Sequence, residues 1–253
     1  AVPEAPVLST SLQLDVGNSG AKWRCVRAGQ VVARGRFLPS DRESLDSFYA
    51  SALDPDTILV SSVADRAAET HLVALLVERW QVEPWFARSE AQTGDLVNSY
   101  SDPSRMGVDR WLAMLGAWRR AGERLCVVDA GSALTIDLVD AGGHHEGGYI
   151  IPGPHLMERA LLLDTDRVRF DEDVPYQLCP GVSTAEAVRH GVALAQVGAL
   201  ALALDRAGTA PRLFVCGGGG EQLMRLLDRD GELVADLVFE GLETMAALHG
   251  PPG

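Results

Sequence analysis

The segment Asp15-Val16-Gly17-Asn18-Ser19-Gly20-Ala21-Lys22 follows the short run Leu12-Gln13-Leu14. A matching segment, Asp129-Ala130-Gly131-Ser132-Ala133, follows Cys126-Val127-Val128. Each reads as a strand, an Asp-x-Gly-polar turn, a second strand, a glycine turn and a third strand. Glycine permits the positive φ of tight hairpins, and apolar β-branched runs favour the flanking strands. A plan repeated at such long spacing indicates two similar domains in one chain.

Helical and strand patterns surround the two repeats. Apolar spacing near 3.6 residues predicts helices over 41–52, 66–80, 107–120, 183–206 and 221–227, and short apolar runs predict strands over 57–63 and 212–216. We therefore predict an N-terminal domain over 11–122 and a C-terminal domain over 123–253. Residues 1–10 have no basic start and no sustained apolar run, so we interpret them as a disordered extension rather than a signal peptide.

Composition narrows the class of protein. The chain has 253 residues and a net charge of −13, which argues against nucleic acid or an anionic membrane as the main partner, since both require a basic surface. No apolar run approaches the roughly 20 residues that cross a bilayer. The four cysteines, Cys25, Cys126, Cys179 and Cys216, are scattered, and three lie in apolar runs. Buried, unpaired thiols and a reducing, cytoplasmic compartment are expected.

The two Asp-x-Gly turns are candidate phosphate sites. A turn between two strands presents backbone N–H groups, its glycines allow phosphate oxygens to approach, and Lys22 adds a positive charge. Asp15, at the end of a buried strand, is a candidate Mg²⁺ ligand. A plain hairpin capped by Asp and Asn is the alternative for either turn alone. The presence of one turn in each half favours a pair that binds a nucleotide clamped between duplicated domains.

Other motifs are less specific by themselves. In Gly107-Val108-Asp109-Arg110, spacing alone favours an ordinary helix start with a solvated Arg over a general base and an anion clamp. The corner Gly147-Gly148-Tyr149-Ile150-Ile151-Pro152-Gly153 indicates close backbone approach to either a ligand or a packed helix, and a tight β-bend explains it equally well. The run Gly217-Gly218-Gly219-Gly220 suits the nucleoside end of a nucleotide but lacks a dinucleotide-binding fingerprint. We interpret His144-His145 as a solvated hairpin tip rather than a metal site.

Taken together, the motifs resemble those of the type III pantothenate kinases, in the correct order from about Leu12 to about Leu248. The segments that carry the resemblance are Asp15 to Lys22, Gly107 to Arg110, Asp129 to Ala133 with Thr135, Gly147 to Gly153, and Gly181-Val182-Ser183-Thr184-Ala185-Glu186-Ala187. The resemblance implies an α/β chain with the duplicated actin-like ATPase fold of sugar kinases and Hsp70, in which mixed sheets are flanked by helices. It also implies ATP-dependent phosphorylation of pantothenate, the first step of coenzyme A biosynthesis.

The resemblance assigns roles to individual residues. Asp109 would be the catalytic base, and Tyr100, Gly107, Val108, Arg110 and Thr184 would join it in binding pantothenate. Residues Asp15, Val16, Gly17, Asn18, Ser19, Gly20, Ala21 and Lys22, with Ser132, would bind ATP. Asp129 would bind a monovalent cation, K⁺ or NH₄⁺, and Mg²⁺ would accompany ATP. The predicted unit is a homodimer in which Thr184 reaches the partner's site.

Two departures and two alternatives accompany this interpretation. The family usually has Thr at the position of Ser132, and an Asp at the position of Gly219, which affects the expected nucleoside contacts. The helix predicted over 183–206 is apolar around much of its circumference, so it is covered either by a partner or by its own domain. The alternative functions are a kinase for another small hydroxyl substrate and a nucleotide-binding accessory or regulatory protein.

Overall fold

The computed structural model describes residues 9–18, 20–164 and 168–250. The first part of the chain forms β1 (Thr10–Gly17), β2 (Gly20–Arg27), β3 (Gln30–Phe37), α1 (Arg42–Ser51), β4 (Thr57–Ser62), α2 (Arg66–Trp80) and β5 (Pro84–Phe86). The middle part forms β6 (Gln92–Thr93), β7 (Leu96–Val97), a 3₁₀ turn (Pro103–Arg105) and α3 (Val108–Ala121). The last part forms β8 (Leu125–Ala130), β9 (Ala133–Val139), β10 (His145–Pro152), α4 (Pro154–Asp164), α5 (Thr184–Arg206), β11 (Arg212–Cys216), α6 (Gly220–Leu227), β12 (Glu232–Leu233) and α7 (Leu237–His249).

The two large sheets have the same topology. The first has the order β3-β2-β1-β4-β5, and the second has the order β10-β9-β8-β11-β12. In each sheet, three antiparallel strands from one meander are followed by two strands parallel to the first strand of the meander. The predicted duplication of a mixed α/β unit is therefore confirmed. Both Asp-x-Gly turns connect the first two strands of their sheet.

The contacts divide the chain into two compact units that interleave along the sequence. Unit 1 comprises Ala1–Glu90, Asp102–Gly116 and Val238–Gly253, and unit 2 comprises Ala91–Ser101 and Ala117–Leu237. This division differs from the predicted 11–122 and 123–253 in three places, and one of them is the end of α3, which belongs to unit 2 from Ala117 onward. The last helix returns to unit 1, because the α7 backbone at Gly241 leaves no room for a side chain against Leu112 of α3. The hairpin β6–β7 belongs to unit 2, where the Val97 N–H donates to the Gly143 carbonyl over 2.9 Å.

The first strand begins earlier than expected. Residues 1–8 of the predicted disordered extension lie outside the described residues, but Thr10 already belongs to β1 and is buried. Its backbone N–H donates to Asp56 Oδ2 over 2.7 Å, and its carbonyl accepts from the Asp56 N–H over 2.8 Å. The prediction of disorder was therefore wrong for Thr10, because a polar residue at the strand start finds its hydrogen-bond partners 46 residues away.

Each unit has its own hydrophobic core. In unit 1 the core lies between one face of the first sheet and α1 and α2, around Phe48, which stacks on Phe37 with ring centroids 4.2 Å apart. Gly35 is required there, because a Cβ at this position would lie 2.9 Å from Trp23 Nε1. In unit 2 the core lies between the second sheet and α5 and α6. Cys25, Cys126 and Cys216 are buried, Cys179 is exposed, and all four are free thiols, as predicted.

Helix α5 qualifies the prediction that no segment is long enough to cross a membrane. Its 23 residues are apolar enough to do so by length and composition, and it is the one helix of the described ranges that meets this criterion. Half of its most apolar window is buried inside the fold. Buried residues such as Val197 and Leu200 contribute to the core of unit 2, which is the behaviour of a core helix.

Candidate functional site

The β1–β2 hairpin places the first polar motif at the end of the central strand of the unit 1 sheet. Asp15 pairs with Lys22 across the two strands, so both side chains project from the same face. On the other side of Asp15, the Ser61 hydroxyl of β4 donates to Asp15 Oδ1 over 3.1 Å. Gly20 has φ +130, and a Cβ there would lie 2.8 Å from the Leu38 side chain. Ser19 lies outside the described residues.

The opposite face of the same strands explains why this row is polar. Val16, Ala21 and Phe37 are register partners on three adjacent strands, and all three are buried in the core of unit 1. Alternation along the strands therefore directs Asp15 and Lys22 away from that core. Ser61 was not among the predicted site residues. Its position at the end of a buried apolar strand, Thr57–Ser62, is the signal that could have identified it.

The Gly-x-Asp-Arg motif forms the start of α3 in unit 1. Asp109 lies in the first turn, and its Oδ1 accepts the Arg110 N–H over 2.8 Å. A Cβ at Gly107 would lie 2.6 Å from that same Oδ1, so glycine leaves room for the carboxylate. Arg110 is only 6% exposed, which makes the solvated alternative wrong for this residue. A buried guanidinium requires compensating partners or an anionic ligand.

The second Asp-x-Gly turn packs tightly against the glycine corner of unit 2. The Gly153 N–H donates to the Ser132 carbonyl over 2.9 Å, and a Cβ on Gly153 would lie 2.5 Å from that oxygen. The close approach at Gly153 is therefore made to the turn and not to a packed helix, which differs from the predicted partner. Pro154 then occupies the first position of α4, where its fixed φ and missing N–H are tolerated. Ser132 is exposed.

The four-glycine run packs on the same turn. The Gly219 N–H donates to the Ala130 carbonyl over 2.8 Å. Gly217 has φ +85, and a Cβ there would lie 2.3 Å from Asp129 Oδ1. The Asp129 carboxylate, the turn and the glycine run are thus in direct contact within unit 2. Carboxylate and carbonyl oxygens form a hard donor set, which suits K⁺ or Mg²⁺.

The Asp129 turn does not contain a metal site made of side chains alone. No group of three or more His, Cys, Asp or Glu side chains suited to a metal occurs within 9–18, 20–164 and 168–250. A cation at Asp129 would therefore need backbone oxygens, and oxygens of the bound ligand, in addition to the Asp129 carboxylate. The residues fit a weakly held monovalent ion better than a structural zinc, which prefers nitrogen and sulfur donors.

Tyr100 and Thr184, the remaining predicted substrate contacts, lie in unit 2. The Tyr100 N–H donates to Asn98 Oδ1 over 2.9 Å in an irregular segment after β7. Thr184 is exposed and opens α5. Ser183 is the N-cap residue of α5, because the Ser183 hydroxyl accepts the Glu186 N–H over 3.2 Å. The Thr184 hydroxyl is therefore not engaged as the cap of its own helix.

The interpretation of His144-His145 was half wrong. His144 is exposed and lies beside Asp140, but His145 is 3% exposed. His145 Nε2 lies 3.0 Å from Asp137 Oδ1, and His145 Nδ1 lies 2.9 Å from Ser99 Oγ. The reason is a register shift in the β9–β10 pairing between His145 and Gly147, which turns the His145 side chain inward. Spacing along the sequence does not reveal such a bulge.

Comparisons with known proteins agree with the geometry. A protein-family profile for type III pantothenate kinase matches residues 11–206. A curated type III pantothenate kinase from Marinobacter nauticus is 38% identical over 93% of this chain and 98% of its own length. Further curated relatives of the same name are 36–39% identical over similar spans.

Solved structures support the fold. A 2-dehydro-3-deoxygalactonokinase-like protein from Sinorhizobium meliloti superposes with a TM-score of 0.65 at 15% identity, over 96% of this chain and 100% of the other. A protein described as a Baf-family transcriptional activator from Campylobacter jejuni superposes with a TM-score of 0.61 at 23% identity, over 94% and 98%. The architecture is the actin-like ATPase fold, as expected. By its family profile and its curated relatives, this chain belongs to the type III pantothenate kinase family.

Proposed function

We propose that this chain transfers the γ-phosphoryl group of ATP to the primary hydroxyl of pantothenate and so performs the first step of coenzyme A biosynthesis. The family assignment supports this activity. The observation that carries it at the level of residues is the start of α3. There Asp109 and the buried Arg110 are adjacent, and Gly107 leaves room for the carboxylate. Pantothenate carries an acceptor hydroxyl, which suits the Asp109 carboxylate, and a carboxylate, which suits the Arg110 guanidinium.

The proposed phosphate site of unit 1 is the β1–β2 hairpin. Backbone N–H groups of the turn and the Lys22 ammonium would neutralise phosphate oxygens, because a turn of this kind is a natural anion cradle. Asp15, oriented by the Ser61 hydroxyl, would face the magnesium ion that arrives with ATP. Phosphoryl transfer requires mainly positioning and charge neutralisation, so these contacts supply what the reaction needs.

Asp109 is the proposed general base. Its Oδ1 already accepts the Arg110 N–H, which fixes the carboxylate at the helix start. Its other oxygen is the one proposed to take the proton of the pantothenate hydroxyl as the phosphoryl group transfers. Arg110 is proposed to bind the pantothenate carboxylate, since a guanidinium forms paired, charge-assisted hydrogen bonds with carboxylates. Gly107, Val108, Tyr100 and Thr184 complete the proposed pantothenate contacts.

Asp129 is the proposed monovalent cation ligand, and Ser132 a proposed ATP contact, in unit 2. A bound K⁺ or NH₄⁺ supplies positive charge beside phosphate. The role of the chain is to hold Asp129 in place, and Gly217 does so by allowing the glycine run to lie against the carboxylate.

A homodimer is the proposed assembly. Leu194 and Leu202 of α5 are 59% and 54% exposed, and Gly191, Ala195 and Gly198 on the same helix face are exposed as well. These positions follow the i, i+3, i+4, i+7 spacing of one helix face. An uncharged stripe of this kind on an otherwise acidic protein suits a second copy of α5. The predicted cytoplasmic location is retained as part of the proposal.

Release of ADP from ATP with and without pantothenate tests this function. A pantothenate kinase releases ADP at a rate that depends on pantothenate and yields phosphopantothenate. A kinase for another hydroxyl substrate would show no such dependence. A nucleotide-binding regulatory protein would bind ATP without pantothenate-dependent turnover, and one structural neighbour is described as a transcriptional activator.

A further inference from the structure

We propose that Asp137, His145 and Ser99 form a network that positions Tyr100 to bind pantothenate. This proposal rests on the proposed function, in which Tyr100 contacts pantothenate. The network lies entirely within unit 2. It joins strands β9 and β10 to the irregular segment that follows β7, and it explains a buried histidine that catalysis itself does not use.

The inner end of the network is a buried hydrogen bond between an imidazole and a carboxylate. The Asp137 and His145 side chains are 2% and 0% exposed, and Asp137 Oδ1 lies 3.0 Å from His145 Nε2. A buried carboxylate without a donor is costly, so the imidazole N–H satisfies it. The charge of Asp137 also acts on its surroundings, since burial and then Asp137 raise the pKa of the Cys126 thiol to about 12.

The backbone of β10 creates the space for this contact. Gly148 is the register partner of Asp137, and the neighbouring Gly147 has φ +131 at the register shift. With no side chain opposite Asp137, the His145 imidazole can lie over the carboxylate from the diagonal position. Gly148 therefore leaves the position opposite Asp137 open, whereas a Cβ at Gly147 would meet nothing within 4 Å and glycine serves there for its positive φ.

The outer end of the network reaches the substrate segment. In its neutral form an imidazole carries one N–H. The Asp137 carboxylate takes that hydrogen at Nε2, which leaves Nδ1 as an acceptor for the Ser99 hydroxyl 2.9 Å away. Ser99 is itself exposed, so its side chain connects a fully buried group to the surface. The Tyr100 ring packs beside the same imidazole, with centroids 6.2 Å apart.

The contact lies where the β6–β7 hairpin passes into an irregular segment. The Asn98 N–H donates to the Ala91 carbonyl over 2.9 Å, and the Tyr100 N–H donates to Asn98 Oδ1 over 2.9 Å. His145 contacts both Ser99 and Tyr100 and is buried in the sheet, so it transmits the rigidity of the sheet to these two residues.

Kinetics of Ser99→Ala test the proposal, with Ser101→Ala as the matched control and Ser99→Thr as the conservative variant. Ser101 is an exposed serine on the other side of Tyr100. Loss of one net hydrogen bond predicts a roughly five- to tenfold higher KM for pantothenate with an unchanged KM for ATP. Ser99→Thr keeps the hydroxyl and should restore the value, and Ser101→Ala should match the original protein.

Unchanged constants in Ser99→Ala, or equal rises in both KM values, would overturn the positioning role. A second measurement is independent of activity. A ¹⁵N spectrum of the histidines, with His145 assigned by His145→Gln, should show hydrogen on Nε2 and none on Nδ1. The opposite tautomer, or a ring that exchanges freely with solvent, would also overturn it. A protein that lacks kinase activity but shows the expected tautomer would refute the proposed function and leave the network intact.

Discussion

At the scale of the residue, the account depends most on the carboxylate of Asp109. Its neighbours explain why a small polar residue is placed there. The helix start supplies the Arg110 N–H, and Gly107 leaves the space that any other side chain would fill. The negative charge also lies in the first turn of α3, where the helix dipole favours it.

Asp109→Asn should fold normally and lose at least about 10² in kcat, since removal of a positioned base costs that much. The amide still accepts the Arg110 N–H, so the helix start is preserved. Steady-state kinetics at saturating ATP and pantothenate measure the loss, and thermal unfolding checks the fold. Turnover equal to that of the unmodified protein would remove Asp109 from the mechanism.

The cation proposed at Asp129 gives a second prediction. Activity should require K⁺ or NH₄⁺ in addition to Mg²⁺, because one carboxylate with backbone oxygens suits a weakly bound monovalent ion. Rates measured in matched K⁺ and Na⁺ buffers, both with Mg²⁺, check this. Equal rates in the two buffers would argue against the cation role of Asp129.

At the scale of the element, the contact between the Asp129 turn and the glycine run leaves no room for a side chain at Gly217. Gly217→Ala should lose activity and stability, since φ is +85 and the new Cβ would lie 2.3 Å from Asp129 Oδ1. Gly218→Ala is the matched control, because nothing lies within 4 Å of a Cβ there. Steady-state kinetics and urea unfolding measure the activity and the stability of both variants. Equal values for the two variants would show that the contact at Gly217 contributes to neither.

Helix α7 is attached to the first sheet by a polar cluster. Arg24 is 4% exposed, its Nε donates to Gln13 Oε1 over 2.7 Å, and its Nη2 lies 3.0 Å from Glu243 Oε1. Glu243→Gln should lower the free energy of unfolding by about 1.5–3 kcal/mol, the typical contribution of a hydrogen bond to a charged group. Urea unfolding measures this, with exposed Glu78→Gln as control. A loss no larger than that of the control would mean that α7 docks through apolar contacts alone.

Helices α1, α2, α3, α5 and α6 could be predicted from the sequence because each segment carries its own pattern, whereas α4 and α7 were not predicted. Helix α2, for example, was expected over 66–80 and spans Arg66–Trp80. The attachment of α7 to unit 1 could not be predicted, because it depends on contacts such as Gln13 with Glu243, which are 230 residues apart. His145 was misjudged for the same reason, since a bulge and a distant Ser99 determine its burial. Motifs whose residues are close in sequence were therefore identified. Contacts that depend on strand register, such as that of His145 with Asp137, were not.

At the scale of the whole molecule, the exposed stripe of α5 predicts a homodimer. Leu202→Glu should convert the protein to a monomer, because a charge in an apolar interface is costly to bury. Leu248→Glu is the matched control, since Leu202 and Leu248 are both 54% exposed and Leu248 lies on α7 of unit 1. Light scattering after size exclusion measures the mass. Monomers in the unmodified protein, or dimers in the Leu202 variant, would contradict the prediction.

A shared site makes the dimer functional as well. Mixing an Asp109→Asn subunit with a Thr184→Val subunit should restore part of the activity, since a mixed dimer contains one pocket with both residues intact. Exchange is confirmed by tagging one subunit. Complete inactivity despite proven exchange would place Thr184 and Asp109 of the same subunit in one pocket.

Mass spectrometry of the product formed from ATP and pantothenate tests the central claim most directly. The account predicts that pantothenate gains one phosphoryl group, in an amount equal to the ADP released, and that Asp109→Asn forms product at least about 10² more slowly. Pantothenol, which lacks the carboxylate proposed to bind Arg110, should be a much poorer acceptor. ATP hydrolysis without any phosphorylated pantothenate, or no turnover by a folded protein with K⁺ and Mg²⁺ present, would contradict the account.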